Sequence, residues 1–266
     1  MTDTHRDYQR RYYDGHFDRR AKSVAEQQVH PLFCSFNDRL AGLVLDAAGT
    51  GTGTRAAEQP VRVFEPGCGE GLLGAALVRV AAARGLGLAY TGADLSRAAL
   101  DVARTSVTGD FLTGDAAETA AALAPASQDV VVAKNLLHHL DDPAGFLRAT
   151  AGALAPGGRV VAFEPRLGCP QFLLFNVLAA RRERHFFRGQ ARNEAAFEAA
   201  GFQVLDRRRF TWLPYELAFV IRPGVFRRLL GSDDPRLLSA VSRADARLTS
   251  TLPWLACYEV WTATPV

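Results

Sequence analysis

Three glycines at alternate positions follow an acidic residue in the stretch EPGCGEG, and they are the clearest sign of chemistry in the chain. Glu65 ends a short run of β-branched and aromatic residues, and Gly67, Gly69 and Gly71 come directly after it. Glycine lets the backbone turn sharply with a positive φ and lets a ligand approach without meeting a Cβ. Because an apolar helical pattern follows, the free N–H groups of a helix start face the turn. The stretch predicts a strand, a nucleotide-type cofactor loop and a helix.

The other residues whose side chains could bind a ligand or react share one feature: each lies at or just after the end of a predicted strand. They are Asp94, Asp115, Asn135, the adjacent pair His138 and His139, and Glu164. Histidine titrates near neutral pH, so a neutral imidazole could accept a proton from a substrate. Glu164 ends the next strand along the chain and could orient such an imidazole or bind the substrate.

The elements that must position these residues alternate between strand and helix, which predicts a parallel sheet covered on both faces. The predicted strands are 61–65, 88–93, 107–111, 129–133, 159–164, 202–210 and 258–263. The predicted helices are about 70–84, 97–106, 143–154 and 193–200, with one more after Asp115. Ser96 is a predicted N-cap, and Pro156-Gly157-Gly158 predicts a turn before the fifth strand.

We expect one domain with a core and three appended segments. The core covers about 58–164, 192–210 and 254–266, and the cap or lid segments are 1–45, 165–190 and 211–253. The first segment is expected to form one or two helices outside the main sheet. Large apolar residues in the second and third predict a pocket for an apolar acceptor; they are Phe172, Phe175, Phe186, Phe187, Trp212 and Tyr215.

Composition narrows the class of protein. A chain of 266 residues, 48% of them hydrophobic, can bury a sizeable core. Its net charge of +3 is too small to favour binding to nucleic acid. Clusters of arginine are interleaved with strand and helix patterns, which favours solvated faces. The four cysteines form no CxxC pair, so no metal site or disulfide frame is expected. No apolar run reaches the roughly 18 residues of a membrane span, and we expect a soluble, cytoplasmic protein.

The glycine spacing alone leaves the cofactor open. Gly69 to Gly74 satisfies G-x-G-x-x-G, and Asp94 lies where an acid would hold a ribose, which is weak support for a dinucleotide. Glu65 argues against it, because its carboxylate would lie close to a negative pyrophosphate and suits an ammonium group instead. Asp115 offers an acceptor for an adenine amino group.

The ordered set EPGCGEG, ADLS, GDA, NLLHHLDDP and LAPGGRVVAFEP resembles the class I S-adenosylmethionine (SAM)-dependent methyltransferases. Within them it is most similar to the small-molecule group that includes the type 11 and ubiquinone methyltransferases. The resemblance implies an α/β fold with a Rossmann-like, seven-stranded, mostly parallel sheet whose last strand is antiparallel. It also implies that SAM lies across the carboxyl ends of the first, second and fourth strands.

The same resemblance assigns the amino-acid end of the cofactor. Gly67, Gly69 and Gly71 would lie against the methionyl and ribose parts of SAM, and Glu65 would orient the methionyl ammonium. The backbone around Lys134 and Asn135 would close over the amino-acid end.

At the nucleoside end, Asp94 would accept both ribose hydroxyls and Asp115 the adenine amino group. Their neighbours Leu95 and Ala116 complete the predicted cofactor-binding set. Tyr13, in the first segment, is predicted to fold over the site as part of a lid, because an aromatic face suits a sulfonium cation.

We therefore expect methyl transfer from SAM to a small, largely apolar or aromatic acceptor in secondary metabolism, with oxygen the favoured nucleophile. His138, His139 and Glu164 are the predicted catalytic residues, and His139 is the favoured base. Two other functions stay open: an NAD(P)-dependent oxidoreductase and a non-catalytic SAM-binding protein. The sequence leaves open whether the protein is a monomer or a homodimer.

Overall fold

The structure, a computed structural model, describes residues 31–49, 59–166, 169, 190–211 and 234–266. Its helices are α1 (Pro31–Ala47), α2 (Leu72–Ala83), α3 (Arg97–Ser106), α4 (Ala116–Ala121), α5 (Pro143–Ala153), α6 (Gln190–Ala199) and α7 (Pro235–Thr251). Its strands are β1 (Val61–Pro66), β2 (Leu88–Asp94), β3 (Asp110–Thr113), β4 (Gln128–Lys134), β5 (Leu154–Pro165), β6 (Phe202–Phe210) and β7 (Tyr258–Pro265). Short 3₁₀ turns cover Leu137–His139 and Pro253–Leu255. In these ranges no helix combines the length and hydropathy that crossing a membrane requires.

The strands form one seven-stranded sheet in the order β3-β2-β1-β4-β5-β7-β6. The first five strands of that order run parallel, and β7 lies antiparallel between β5 and β6. The predicted Rossmann-like sheet with its antiparallel last strand is confirmed. The order reverses between β1 and β4, and ligands of open α/β sheets bind at the carboxyl ends of the strands at such a reversal.

Helices cover both faces of the sheet because the central strands are buried on both sides. On one face α1 and α2 pack over β1 and β4 through a cluster that includes Phe36, Leu40 and Leu77. On the other face α4, α5 and α6 bury Phe146 and Phe197 against the sheet. The central strands are correspondingly near-continuous apolar runs, as expected for parallel strands without a solvated face.

Helix α1 is part of this core, which moves the predicted boundary between core and cap. Its residues Phe36, Leu40 and Val44 are 0–3% exposed and pack against strand residues. Arg39 of α1 also donates to Asp245 of α7 at 3.1 Å, so α7 belongs to the same body. Residues 1–30, most of 165–190, and 212–233 lie outside the described residues, and the predicted lid and acceptor pocket lie there with them.

Two element boundaries differ from the sequence prediction. The third strand starts at Asp110 instead of 107, because Val107 caps α3 and is buried in the core at 4% exposure. The turn predicted at 156–158 lies inside β5, where pairing with β4 jumps from Leu154 to Arg159. Gly157 adopts a φ of 77° in that irregularity. The proline and glycines therefore produce a bulge that does not end the strand.

We predict that Leu40→Ala lowers the free energy of unfolding by about 2–5 kcal/mol, because it leaves a cavity beneath α1. Urea unfolding measures the change. Asp46→Ala is the control on the same helix, since it removes only a surface ion pair with Arg84 and should cost less than about 1 kcal/mol. Equal, small effects of the two variants would show that α1 is a peripheral segment.

Candidate active site

The glycine loop after β1 has the conformation that only glycine adopts readily. Gly67, Gly69 and Gly71 have φ values of 69°, 53° and 78°. A Cβ at Gly69 would meet no heavy atom within 4 Å, whereas one at Gly71 would lie 3.0 Å from Ala103 of α3. A Cβ at Gly67 would lie 3.1 Å from the side chain of Leu136. Gly69 thus borders open space, while Gly71 allows helix packing and Gly67 allows the turn after β4 to approach.

Asp94, at the end of β2, is oriented by the glycine loop. Its Oδ2 accepts the N–H of Gly69 at 2.9 Å, and its Oδ1 accepts the N–H of Ser96 at 2.9 Å. A carboxylate has about four acceptor positions on its two oxygens, which is the chemistry that a diol ligand requires. Ser96 caps α3 as predicted, with its hydroxyl accepting from Ala99 N–H at 3.3 Å.

Asp115 has a structural task that the sequence analysis did not assign to it. It is the N-cap of α4, and its Oδ1 accepts from the N–H groups of Ala117 at 2.9 Å and Glu118 at 3.4 Å. Ala116 begins the helix and is 8% exposed, and Leu95 after β2 is half-buried. The nucleoside-binding roles of Asp115, Leu95 and Ala116 stay predictions.

Glu65 lies buried at the end of β1 with 2% exposure. The hydroxyl of Tyr90, on β2, donates to its Oε2 at 2.7 Å. Burial raises the pKa of Glu65 to about 7, although the positive charge of Lys134 and the Tyr90 hydrogen bond both lower it. At neutral pH the carboxyl is therefore poised between its two forms, and a cation placed beside it would draw it into the charged form.

Tyr90 is a site residue that the sequence analysis missed. Its ring occupies the space that a side chain at Gly74 would fill, since a Cβ there would lie 2.7 Å from Cζ. The final glycine of G-x-G-x-x-G therefore makes room for the tyrosine that binds Glu65. One signal in the sequence could have indicated this contact. Tyr90 lies in the middle of a predicted buried strand, and the neighbouring predicted helix contains Gly74.

Asn135, directly after β4, is held in an unusual backbone conformation. Its φ of 52° lies in the left-handed region, and its N–H donates to the carbonyl of Phe163 at 2.8 Å. Its Oδ1 is buried and has no hydrogen-bond partner among the described residues. Strained non-glycine residues and unsatisfied buried acceptors concentrate at ligand sites. The oxygen is therefore suited to accept from a bound donor such as an ammonium group.

Glu164 and His138 form a buried pair at the end of β5. Nδ1 of His138 lies 2.5 Å from Oε2 of Glu164, and the two residues are 4% and 0% exposed. The same carboxylate accepts the N–H groups of Leu136 at 2.9 Å and Leu137 at 2.7 Å. A histidine thus pairs with Glu164, as the sequence predicts, and that histidine is His138.

His139 lies beside this pair without sharing its carboxylate contact. The two imidazole rings are 4.0 Å apart at their centroids and inclined by 43°. His139 is half-buried, in contrast to its neighbour. The structure therefore brings Glu65, Asp94, Asn135, His138 and Glu164 to one edge of the sheet; Tyr13 lies outside the described residues.

All of these site residues except Glu164 lie within the part of the chain that matches a known family. Residues 64–162 match the methyltransferase domain family. These residues are similar to the domain of class I SAM-dependent methyltransferases. A curated relative, the ubiquinone biosynthesis O-methyltransferase of Stutzerimonas stutzeri, is 38% identical over 103 residues, which are 37% of this chain and 42% of that protein. The chain thus matches less than half the length of this relative.

Solved structures show the same fold over more of the chain. The magnesium protoporphyrin IX methyltransferase of Synechocystis superposes with a TM-score of 0.60 at 13% identity, covering 99% of this chain and 100% of that protein. The [4+2]-cyclase SpnF superposes with a TM-score of 0.54 at 22% identity, covering 86% and 82%. The fold of the methyltransferase domain therefore serves more than one reaction, and the function must be argued from the site.

Two observations indicate that the predicted cofactor residues can accommodate SAM. The open space at Gly69 gives the cofactor room against the backbone, and the buried Oδ1 of Asn135 lacks a donor among the described residues. Glu65 and Asn135 would hold the methionyl ammonium, and Asp94 the ribose hydroxyls. SAM, when bound, supplies a methyl group on a positively charged sulfur.

The two glycines give a matched pair of variants. Both Gly69→Ala and Gly71→Ala place a Cβ at positive φ, which costs roughly 1–2 kcal/mol. We expect Gly71→Ala to lose further stability by crowding α3, and Gly69→Ala to lose SAM affinity with little further loss of stability. Thermal unfolding and calorimetric titration with SAM measure the two effects. The interpretation is wrong if Gly69→Ala binds SAM as tightly as the wild type does.

SAM affinity should fall as the pH is lowered from 7.5 to 6. Glu65 has a raised pKa of about 7, so below that pH its carboxyl is increasingly protonated and cannot pair with an ammonium. If only the ionised form binds, affinity decreases by about tenfold per pH unit below the pKa. Glu65→Gln should bind weakly and lose this dependence. A wild-type affinity independent of pH over this range would contradict the assignment.

Proposed function

We propose that the protein is a SAM-dependent O-methyltransferase acting on a hydroxyl of a small, largely apolar acceptor. The observation that carries the proposal is the His138–Glu164 pair, buried at the carboxyl edge of the sheet next to the predicted cofactor residues. The domain match gives the reaction class, and the pair gives a means of removing the proton of a hydroxyl.

The protein's first contribution is position. A methyl group moves in line between two atoms, so holding the acceptor oxygen and the cofactor in one geometry accounts for much of the rate. The oriented carboxylate of Asp94, the glycine loop and Asn135 lie on short connections between buried strands. These residues are therefore rigidly placed before any ligand arrives.

The second contribution is the base. Because a carboxylate only accepts hydrogen bonds, Nδ1 of a neutral His138 carries the hydrogen in its contact with Glu164. The lone pair of Nε2 is then the basic position of the ring. In the proposed step the acceptor oxygen forms a bond to the methyl carbon, the carbon–sulfur bond breaks with its electrons going to sulfur, and the hydroxyl proton passes to Nε2 of His138.

This geometry changes the favoured base from His139 to His138. Glu164 fixes the tautomer and orientation of His138, which a general base requires, and His139 makes no such contact with it. His139 instead lies against the ring of the base and helps to confine it.

The acceptor class rests on the relatives and on composition. The relative from Stutzerimonas stutzeri is named for O-methylation in ubiquinone biosynthesis, which agrees with an oxygen nucleophile on an apolar molecule. The relatives give no support to a role in secondary metabolism specifically. We propose a ubiquinone-type phenol precursor as the first acceptor to test.

An NAD(P)-dependent oxidoreductase is not favoured by these observations. A dinucleotide would place its pyrophosphate near the buried acid Glu65, at a cost in electrostatic energy, and the family match points to methyl transfer. A non-catalytic SAM-binding protein would have no use for a buried, oriented histidine. Neither alternative explains the His138–Glu164 pair.

We predict that His138→Gln keeps SAM affinity and slows methyl transfer by about 10²–10⁴-fold, the contribution typical of a general base. Transfer of labelled methyl from SAM to phenolic acceptors measures the rate, and calorimetry measures the affinity. His139→Gln is the matched control and should slow transfer much less. Glu164→Gln is a poorer test, because that carboxylate also holds the backbone of Leu136 and Leu137.

The outcomes separate the alternatives. An unchanged rate in His138→Gln means that transfer proceeds by positioning alone, without this base. Binding of SAM with no transfer to any acceptor would favour the non-catalytic protein. Binding of NAD(P) and not of SAM would overturn the proposed function.

A further inference from the structure

A half-buried lysine ends the strand next to the one that carries the carboxylate predicted to bind the cofactor. Lys134 is the last residue of β4, and β4 pairs in parallel with β1, which carries Glu65 near its end. The carboxyl ends of these two strands adjoin at the reversal of the sheet order. Burial raises the pKa of Glu65, and the positive charge of Lys134 offsets part of that rise.

The lysine ammonium is anchored from the opposite side by α1. Its Nζ donates to Oδ1 of Asn37 at 2.8 Å, and Asn37 is 2% exposed. The same Nζ lies 6.0 Å from the centroid of the Phe36 ring, which is in the core. Burial lowers the pKa of Lys134, and the negative charge of Glu65 raises it. A buried charge of this kind is retained only where partners compensate it.

Among the residues that the structure describes, the other groups that act on Glu65 are neutral or negative. Tyr90 of β2 donates one neutral hydrogen bond to it. Asp94, at the end of β2, raises the pKa of Glu65 by its negative charge. The thiol of Cys68 in the glycine loop is neutral, because burial and both acids raise its pKa far above the usual range. Lys134 is thus the group that offsets Asp94.

We propose that Lys134 is a positioning residue for cofactor binding. Its ammonium, held by Asn37, favours the charged form of the Glu65 carboxyl, the form that can accept the methionyl ammonium of the cofactor. The inference rests on the proposed function, since it assumes that Glu65 binds that ammonium. It adds a role for α1, because the helix that fills the core also fixes the charge at the cofactor loop.

Loss of the positive charge of Lys134 should raise the pKa of Glu65. Removing a positive charge near an acid makes proton release harder, so Glu65 in Lys134→Met would ionise at higher pH than in the wild type. Cofactor binding needs the ionised form, and the lower limit of the pH range for binding would therefore move upward.

The test is calorimetric titration with S-adenosylhomocysteine, which has the same amino-acid end as SAM, between pH 6 and pH 8.5. For Lys134→Met we expect the midpoint of the affinity profile to rise by about one pH unit. That shift corresponds to about a tenfold loss of affinity at pH 7, recovered at the highest pH. Lys134→Arg keeps the charge and should retain the wild-type midpoint. Arg79→Met is the control for net charge, since Arg79 pairs with Asp38 on the surface of α1 and should leave the profile unchanged.

Asn37→Leu tests the anchor and covers the case in which Lys134→Met does not fold. It should move the midpoint upward as well, by less than loss of the charge does, because the ammonium is no longer fixed near Glu65. A purely structural lysine would lower the melting temperature and leave the midpoint in place, and this result would overturn the inference. Failure of the wild-type protein to bind at any pH would instead count against the proposed function.

Discussion

The site depends on a single buried carboxylate at the end of β5. Glu164 is 0% exposed, and it is compensated by backbone N–H groups of the turn after β4 and by the ring of His138. A buried charge is tolerated only with such partners, so the turn has to fold around the acid. The position of Asn135 at the start of the turn and the orientation of His138 both follow from that requirement. One residue thereby fixes part of the predicted cofactor site and the proposed base.

Glu65 is also a buried acid, but it has fewer compensating partners than Glu164. It has one side-chain hydrogen bond, from Tyr90, and the charge of Lys134 for compensation, and its pKa remains at about 7. An acid in this state is a poor structural anchor but a good receiver of a cation, because a positive ligand completes its compensation. The two acids at the ends of β1 and β5 therefore differ: the protein itself compensates Glu164, whereas we propose that the cofactor compensates Glu65.

Much of the fold was predictable because its signals are local. Strands β2 and β6 and helix α3 lie close to their predicted ranges, since each is bounded by a glycine, an acid or a cap. The errors have non-local causes. The role of α1 in the core depends on which face of the sheet it covers, and the bulge of β5 depends on its register with β4. The periodicity of hydrophobic residues in the sequence indicates neither. The start of β3 was misjudged because a β-branched residue, Val107, is buried as a helix cap.

The sequence by itself determined the set of polar residues at the strand ends, because strand–turn–helix patterns and their spacing lie in consecutive residues. The predicted reaction class came from the resemblance to the SAM-dependent methyltransferases. The sequence could not choose between His138 and His139, assign the capping role of Asp115, or find Tyr90, Asn37 and Lys134 around Glu65. The cap formed by Asp115 is a local contact. The other facts depend on contacts between residues 25 to 97 positions apart in the chain. Only the packing of β1, β2, β4 and α1 brings them together, and burial then sets the strength of their electrostatic interactions.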